Sequence, residues 1–421
     1  MSPLQIALAT LAYSLTVGAL ILLTLRVRTL IAIFKAGQAD PTRADNKNDR
    51  FKNMLVETLG HTKMLNFTAT GIAHWFVMIG FGALFGTLVT AYGQLISPSF
   101  ALPIIGHFIP YEFFSELIAW LTGIGIVTLI GIRQVTRLRP ERKNRFSGSG
   151  MGKAYYIEAT ILVIVFAVIA LRGLEGALAG KESWNWHYAL SWPAVVAFSG
   201  LSTATIENLI FIIATIKIVA SMLWFIVIAS NLTMGIAWHR FLAFFNIFYK
   251  RNSDGSNSLG PLPEMLSHGK PDFEDPKEDD VFGLGTRADI SWKGLLDMST
   301  CTECGRCQSQ CPAWHTDKPL SPKLLIMAMR DHAMTKVVEN EAIVGDNAPI
   351  SLDVLWSCTT CGACVEECPV DIEHVDHIVN MRRFQVLVES EFPTELGATF
   401  RNLEKTGNPW GANRADREGW I

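Results

Sequence analysis

Five long apolar runs in the first 250 residues constrain this chain more than any other feature of it. They cover roughly Ile6–Leu25, Phe67–Tyr92, Phe113–Ile132, Ala154–Leu171 and Leu209–Phe248. Each is near or above the ~20 residues that a helix needs to cross a bilayer. Inside lipid every backbone polar group must be satisfied within the segment, so runs of this kind are read as helices. The chain is 49% hydrophobic and only 18% charged, which suits a polytopic membrane protein with a polar appendage. The start of the chain is not read as a cleaved signal peptide, because it lacks a basic n-region and a clear small-residue cleavage site.

Lys and Arg are distributed unevenly between the runs. Arg26, Arg28, Lys35, Arg43, Lys47, Arg50, Lys52 and Lys63 lie between the first and second, and Arg133, Arg137, Arg139, Arg142, Lys143, Arg145 and Lys153 between the third and fourth. The connection over 93–111 has neither residue type, and the one between runs four and five has only Arg172 and Lys181. The positive-inside rule then predicts a multi-pass protein of the cell membrane with its N-terminus outside and everything beyond Arg251 cytoplasmic. Three domains are expected: a membrane domain over 1–251, a polar linker over 252–290 and a globular domain over 291–421. The linker begins NSDGSNSLGPLP and continues through DFEDPKEDD, without apolar periodicity. The globular part carries LLIMAMRDHAM and HIVNMRRFQVLVES, whose apolar residues recur at helical spacing. The expected fold class is therefore all-α.

All eight cysteines fall between Cys301 and Cys368. They form a duplicated motif, Cys301-Thr-Glu-Cys304-Gly-Arg-Cys307-Gln-Ser-Gln-Cys311-Pro312 and Cys358-Thr-Thr-Cys361-Gly-Ala-Cys364-Val-Glu-Glu-Cys368-Pro369. Both copies have the C-x2-C-x2-C-x3-C-P spacing that wraps a [4Fe–4S] cubane, and in two-cluster proteins the fourth cysteine of each run serves the other cluster. One cluster is thus assigned to Cys301, Cys304, Cys307 and Cys368, and the other to Cys358, Cys361, Cys364 and Cys311. Gly305 and Gly362 would let each loop turn tightly with backbone N–H groups facing the sulfides. Two structural zinc sites are the alternative, but zinc usually takes cysteines in pairs and needs only four ligands per ion.

Histidine within a membrane span is costly and usually functional. His74 lies in the second run and His239 in the fifth, each eleven residues from a basic residue on the inner side, Lys63 and Lys250. Continuous helices would put both rings at the same depth, ~16 Å from the charged ends, where they could hold one bis-His haem b. Two unrelated, hydrogen-bonded histidines are the alternative. His61 precedes His74 by thirteen residues, about 220° around a helix, and is expected at the surface. Solvated roles are also expected for His107, His187, His374 and His377. Lys217 is expected to snorkel, with a quinone or propionate contact as the less favoured reading. Arg240 is the better candidate for a propionate.

These residues support two resemblances. In helix count, orientation and the His74/His239 placement, the membrane half resembles the γ subunit of respiratory nitrate reductase, a five-helix haem b protein that exchanges electrons with quinol. The additional histidines of diheme members correspond here to Leu84 and Ser221, which implies one haem. The 46 residues from 312 to 357 between the motifs resemble the helical ferredoxin domains found in the iron–sulfur subunits of succinate dehydrogenase and of heterodisulfide reductase. CTECGRCQSQCPAWHTDKPLSPKL, LWSCTTCGACVEECPVDIEHVDHIVNMRR and GNPWGANRADREGWI, with GIAHWF and AYGQL in the membrane half, resemble actinobacterial membrane-bound iron–sulfur reductases of the heterodisulfide-reductase type. Some of those are regarded as dehydrogenases for electron-transfer flavoprotein. Such relatives continue into two CCG domains, absent before Ile421 here, which implies that a separate polypeptide supplies them or that the chain only relays electrons.

The combined expectation is an oxidoreductase subunit. It would pass electrons from a soluble flavoprotein or CCG-domain subunit through two [4Fe–4S] clusters and haem b to membrane quinone. Lactate, glycolate or a thiol–disulfide couple are alternative donors, and a redox sensor or scaffold is the alternative of another class. There is no P-loop, no strand-preceded GxGxxG and no hydrolytic triad, and no nucleic-acid partner is expected. No side chain is assigned a catalytic role, because the cofactors would carry the chemistry.

Overall fold

The computed structural model describes residues 2–421 except 182, 266–279, 281, 336–340, 414, 417, 418, 420 and 421. Most of the acidic DFEDPKEDD stretch and part of GNPWGANRADREGWI therefore lie outside the described residues. Among the described residues there is no strand. Three isolated bridges occur, at Gln38/Ser291, Thr286/Ala342 and Val344/Ile350.

The membrane half contains α1 (Pro3–Lys35), α2 (Lys47–Gly60), α3 (Thr68–Ala83), α4 (Phe85–Gln94), α5 (Ile109–Arg137), α6 (Met151–Leu178), α7 (Trp192–Phe198), α8 (Thr203–Ser230) and α9 (Gly235–Phe248). Among the described residues, five stretches are long and apolar enough to cross a membrane, namely Pro3–Lys35, Lys47–Ala83, Ile109–Arg137, Met151–Leu178 and Thr203–Ser230. Ser2 and Ser202 cap α1 and α8, each hydroxyl accepting a backbone N–H three residues on. α1 and α6 pack along α8, and α3 packs along α5. The α3–α5 seam is close because glycines line it. A Cβ on Gly125 would stand 2.6 Å from the Ala73 carbonyl oxygen, and one on Gly80 would stand 2.1 Å from the Thr122 hydroxyl. Val17, Ile124 and Phe166 point outward, as lipid-facing residues do.

Two of the apolar runs are not single rods. The fifth breaks after Ser230, and α9 begins only at Gly235. Asn231 has φ −130° and its amide donates back to the Val227 carbonyl at 2.8 Å. Asn, Thr233 and Gly235 are all weak helix formers that favour turns. His239 consequently sits on a separate short helix and not on the fifth span. The second run is also divided, with α2 ending at Gly60, a left-handed His61 at φ 51°, a 3-10 turn over Met64–Phe67, and then α3 and α4. The depth of His74 therefore cannot be counted from Lys63 along one helix.

The second half contains α10 (Trp292–Thr300), α11 (Arg306–Gln310), α12 (Pro312–His315), α13 (Pro322–Thr335), α14 (Leu352–Trp356), α15 (Ala363–Glu366), α16 (His374–Leu387) and α17 (Thr394–Thr406). Its core includes Leu295, Met298, Trp314, Ile326, Met329, Leu355, Ile378 and Met381. Leu284 and Ile290, from the stretch expected to be linker, are buried in this same core.

The two halves are joined tightly. Arg43 grips Glu373 with both guanidinium arms at 2.7 and 2.9 Å. Lys63 pairs with Asp371, and Arg251 with Asp376. Asn246 of α9 donates to Asp297 at 2.8 Å and to the Val370 carbonyl at 2.7 Å. The Arg142 guanidinium lies over the Trp314 ring at 4.1 Å. Residues from both basic connections of the membrane half thus hold the cysteine-bearing half.

Candidate functional site

The two cysteine loops share one backbone form. Glu303 and Thr360, the residues before the second cysteine of each run, have φ 57° and 53°, and Gly305 and Gly362 have φ 71° and 78°. Each glycine opens a short helix that carries the third cysteine, and the fourth follows just past its end. The loops cross over. Cys311, Cys358, Cys361 and Cys364 line one small cavity with Pro312, Leu320 and Ile378. Cys307 is influenced electrostatically by Cys304, Cys301 and Cys368, and more weakly by Cys364 of the other run, and Cys368 is influenced by Cys304. Cys311 is therefore brought to the first three cysteines of the second run, and Cys368 lies near Cys304 and Cys307 of the first. Among the described residues, no three His, Cys, Asp or Glu side chains converge as ligands of a single metal ion. A small cavity lined by four cysteines suits a cubane.

Burial pushes the thiols of Cys301 and Cys364 up to about 11 and about 12. It pushes Cys307 and Cys368 up as well, with neighbouring cysteines adding to the effect. Four such groups close together would stay protonated on their own. Holding them as thiolates requires a bound cation, as cluster iron would be, so binding and proton release would be coupled. Backbone N–H groups already aim at sulfur, from Thr360 to Cys358 at 3.3 Å and from Ile372 to Cys368 at 3.4 Å. The donor set fits iron–sulfur ligation.

The first loop abuts the membrane helices. A Cβ on Gly235 would stand 2.0 Å from the Cys301 carbonyl oxygen. Four residues further along α9, about 6 Å of helical rise, is His239. Its Nδ1 contacts the Gly235 carbonyl at 3.3 Å. His74 lies opposite, with ring centres 6.3 Å apart and planes at 38°. Two imidazoles bound on opposite sides of one metal at roughly 2 Å each would have ring centres about 6 Å apart, so the separation of this pair is compatible with a bis-imidazole iron. Arg306, which follows Gly305, is 1% exposed. It donates to the Lys63 and Met64 carbonyls, both at 2.8 Å, beside the histidines.

His61, expected at the surface, is 4% exposed, and its Nε2 lies 2.9 Å from His74 Nδ1. Its burial could not be read from one helical wheel because α2 and α3 are not one helix; Gly60 at the end of the α2 pattern was the available stop signal. His374 and His377, also expected at the surface, are buried, and His377 Nε2 meets Asp297 at 3.1 Å. His187 is half-buried against Glu112 at 2.6 Å, whereas His107 is exposed. Lys217 does not snorkel. It is 1% exposed and donates to the Thr87 carbonyl and hydroxyl at 2.8 and 2.7 Å. Arg240 stacks over Trp224 and Phe81 at 5.0 and 5.3 Å.

Lys217 borders a cavity of about 210 Å³ with Gln94, Tyr111, Glu112, Arg172 and Glu175. Arg172 bonds Glu112, Glu116 and Glu175 at 3.2, 3.1 and 2.6 Å. This cavity is at the end of the bundle far from the cysteines. Arg172 is 22 residues along α6 from Gly150, whose N–H bonds Glu303 at 3.1 Å, about 33 Å at helical rise.

Comparison with known proteins agrees with this chemistry. Residues 300–372 match the family model described as a 4Fe-4S dicluster domain. The chain is 29% identical to a probable iron–sulfur-binding oxidoreductase, FadF, of Bacillus subtilis, over 100% of this chain and 61% of that protein. It is 27% identical to the EtfAB:quinone oxidoreductase of Syntrophomonas wolfei, over 90% of this chain and 55% of the relative. A probable membrane-anchored ferredoxin of Chromohalobacter salexigens is 32% identical over 46% of this chain and 32% of its own length. The chain thus spans between about a third and three fifths of the length of these relatives. No solved structure matches it. Its relatives are iron–sulfur oxidoreductases, and the chain itself is a multi-pass membrane protein with a [4Fe–4S]-binding domain.

Proposed function

We propose that this protein relays electrons between a soluble donor and membrane quinone. Cys301, Cys304, Cys307 and Cys368 hold one [4Fe–4S] cluster, and Cys358, Cys361, Cys364 and Cys311 the other. His74 and His239 hold one haem b in a bundle like that of the nitrate reductase γ subunit. The N-terminus is outside and the cysteine-bearing half cytoplasmic. When bound, these groups would supply the one-electron transfer, and the protein's residues would hold and place them. The observation that carries the reading is the contact of the Cys301 carbonyl with Gly235, one helical turn before His239. It links the first cysteine loop to the histidine pair through one turn of α9.

The protein's own contribution is placement. Arg306 clamps the loop to the turn after His61, and Asn246 ties α9 to the segment after Cys368. The second loop faces solvent, with Cys361 exposed, and is the docking point for an electron-transfer flavoprotein or a CCG-domain subunit. The cavity beside Lys217, which combines apolar walls with a few polar side chains, is the candidate site for the quinone headgroup. The name of the Syntrophomonas relative, an EtfAB:quinone oxidoreductase, accords with both partners.

Anaerobic purification tests the reading. About eight non-haem iron and eight sulfide per chain are expected for two cubanes, with a b-type pyridine haemochrome spectrum. His74→Ala and His239→Ala should each abolish that spectrum. Stoichiometric zinc without iron, or a featureless visible spectrum, would sink it.

A further inference from the structure

His61 occupies a backbone position that histidine enters only at a cost. It ends α2 in the left-handed region, φ 51° and ψ 32°, while Gly60 beside it stays in the helix. Strain of this kind persists where the surroundings over-determine it. Here the ring is the reason. His61 Nδ1 lies 2.8 Å from the Thr58 carbonyl oxygen, and Nε2 lies 2.9 Å from His74 Nδ1. A carbonyl only accepts, so Nδ1 of His61 carries the proton, and Nε2 of the neutral ring is left as an acceptor. His74 must then donate its own Nδ1–H, which leaves its Nε2 lone pair bare. His239 reaches the same tautomer separately, donating Nδ1–H to the Gly235 carbonyl at 3.3 Å. The two rings stand 6.3 Å apart with their ligating nitrogens prepared.

We infer that His61 is the positioning residue for His74: it fixes the tautomer and orientation in which His74 binds iron. This rests on the haem reading above. Metal-bound histidines characteristically donate their second N–H to a partner of this kind, which raises their basicity. The turn that presents His61 is held from the cysteine-bearing half, where Arg306 bonds the carbonyls of Lys63 and Met64 at 2.8 Å each.

The test uses the full chain in detergent, with cluster iron as the folding control. His61→Leu removes the acceptor. His61→Gln keeps one, since its amide oxygen can reach the His74 N–H. Haem content, the rate of haem transfer to apomyoglobin and the haem midpoint potential are measured. His61→Leu should retain its cluster iron but release haem about 10–100-fold more readily. Its potential should move upward, because a less basic His74 stabilises ferric iron less. His61→Gln should recover most of both. Should His61→Leu also lose cluster iron, His61→Gln is compared with His61→Asn, which tolerates the left-handed backbone but is too short. Equal haem retention in that pair overturns the inference. So does His61→Leu matching the wild type, or losing haem while His74→Ala keeps it, which would make His61 the ligand. A wild-type protein without haem defeats the haem reading itself, a result distinct from unchanged haem in His61→Leu.

Discussion

The two cysteine loops have the same spacing and the same left-handed positions, yet their surroundings are opposite. In the first, Glu303 is buried and pairs with Arg330 at 2.9 Å while accepting the Gly150 N–H at 3.1 Å. Arg306 is buried against the membrane half, and Gly305 faces the Arg145 carbonyl. In the second, Thr359, Thr360 and Cys361 are exposed, and Gly362 meets only the side chain of Leu259. One motif thus makes two different things: an anchored loop that reaches toward the histidines, and an open loop that another protein can approach. The difference comes from the residues between the cysteines, not from the cysteines.

The largest expected effect separates the two glycines. An alanine Cβ at Gly305 would lie 1.8 Å from the Arg145 carbonyl oxygen, whereas at Gly362 it would lie 2.6 Å from the end of the Leu259 side chain. Backbone cannot step aside as a leucine methyl can. Gly305→Ala should therefore fail to assemble the cluster of Cys301, Cys304 and Cys307. Gly362→Ala should assemble both and lose only about 1–2 kcal/mol, the cost of a left-handed non-glycine residue. Iron and sulfide counts on the two variants decide it. Equal counts would mean that the first loop is not anchored in the way described.

The contrast also marks what the sequence could reveal. Loop form follows from local spacing, so the turns at Gly305 and Gly362 were legible, as were the apolar runs. Burial of His374, His377 and Lys217 was not, because a polar residue's partners lie far away in the chain: Asp297 for His377 and Thr87 for Lys217. The break in the fifth run was hidden by hydropathy, which continues through 231–235, although Asn231, Thr233 and Gly235 together were a readable turn signal. Leu284 and Ile290 were lost in a polar background. Hydropathy averages could not show that these two residues close the core.

A smaller effect tests the support of the inward half. Burial, then the charge on His377, pushes the His374 imidazole down to about 4, with Asp297 and the Ile372 carbonyl opposing. Ile372 also donates its N–H to Cys368, a proposed ligand of the first set. An unfolded histidine titrates near 6.5, so the unfolded chain takes up the proton first as pH falls. Stability from this group is complete above about pH 6.5 and lost progressively toward pH 4, about 3 kcal/mol in all. Asp376, pushed up to about 6 by burial, works in the opposite direction, so the variant comparison is the measure. Wild type should lose stability between pH 6.5 and 4 more steeply than His374→Gln, and the electron paramagnetic signal of the inward cluster should fade before that of the outward one. Parallel pH curves would show that His374 is not held neutral.

The smallest single effect is expected at Thr360, the left-handed residue that precedes Cys361, set against its counterpart Glu303 before Cys304. Thr360 has φ 53° and is exposed. A β-branched residue there is strained by about 1–2 kcal/mol, and glycine would relieve that while adding unfolded-state entropy of roughly 0.5–1 kcal/mol. The Thr360 N–H to Cys358 sulfur bond is a backbone bond and survives the change. Thr360→Gly should therefore stabilise the domain by about 0.5–1 kcal/mol, read as a rise in chemical-denaturation midpoint under anaerobic conditions. Glu303 has nearly the same backbone angle, φ 57°, but its carboxylate holds Arg330 in the interior. Glu303→Gly gains the same backbone relief and leaves a buried guanidinium without that partner, a loss of about 3–5 kcal/mol. The same substitution at equivalent positions should thus change stability in opposite directions. If both stabilise, the Glu303–Arg330 pair is not an anchor and the two loops differ only in exposure.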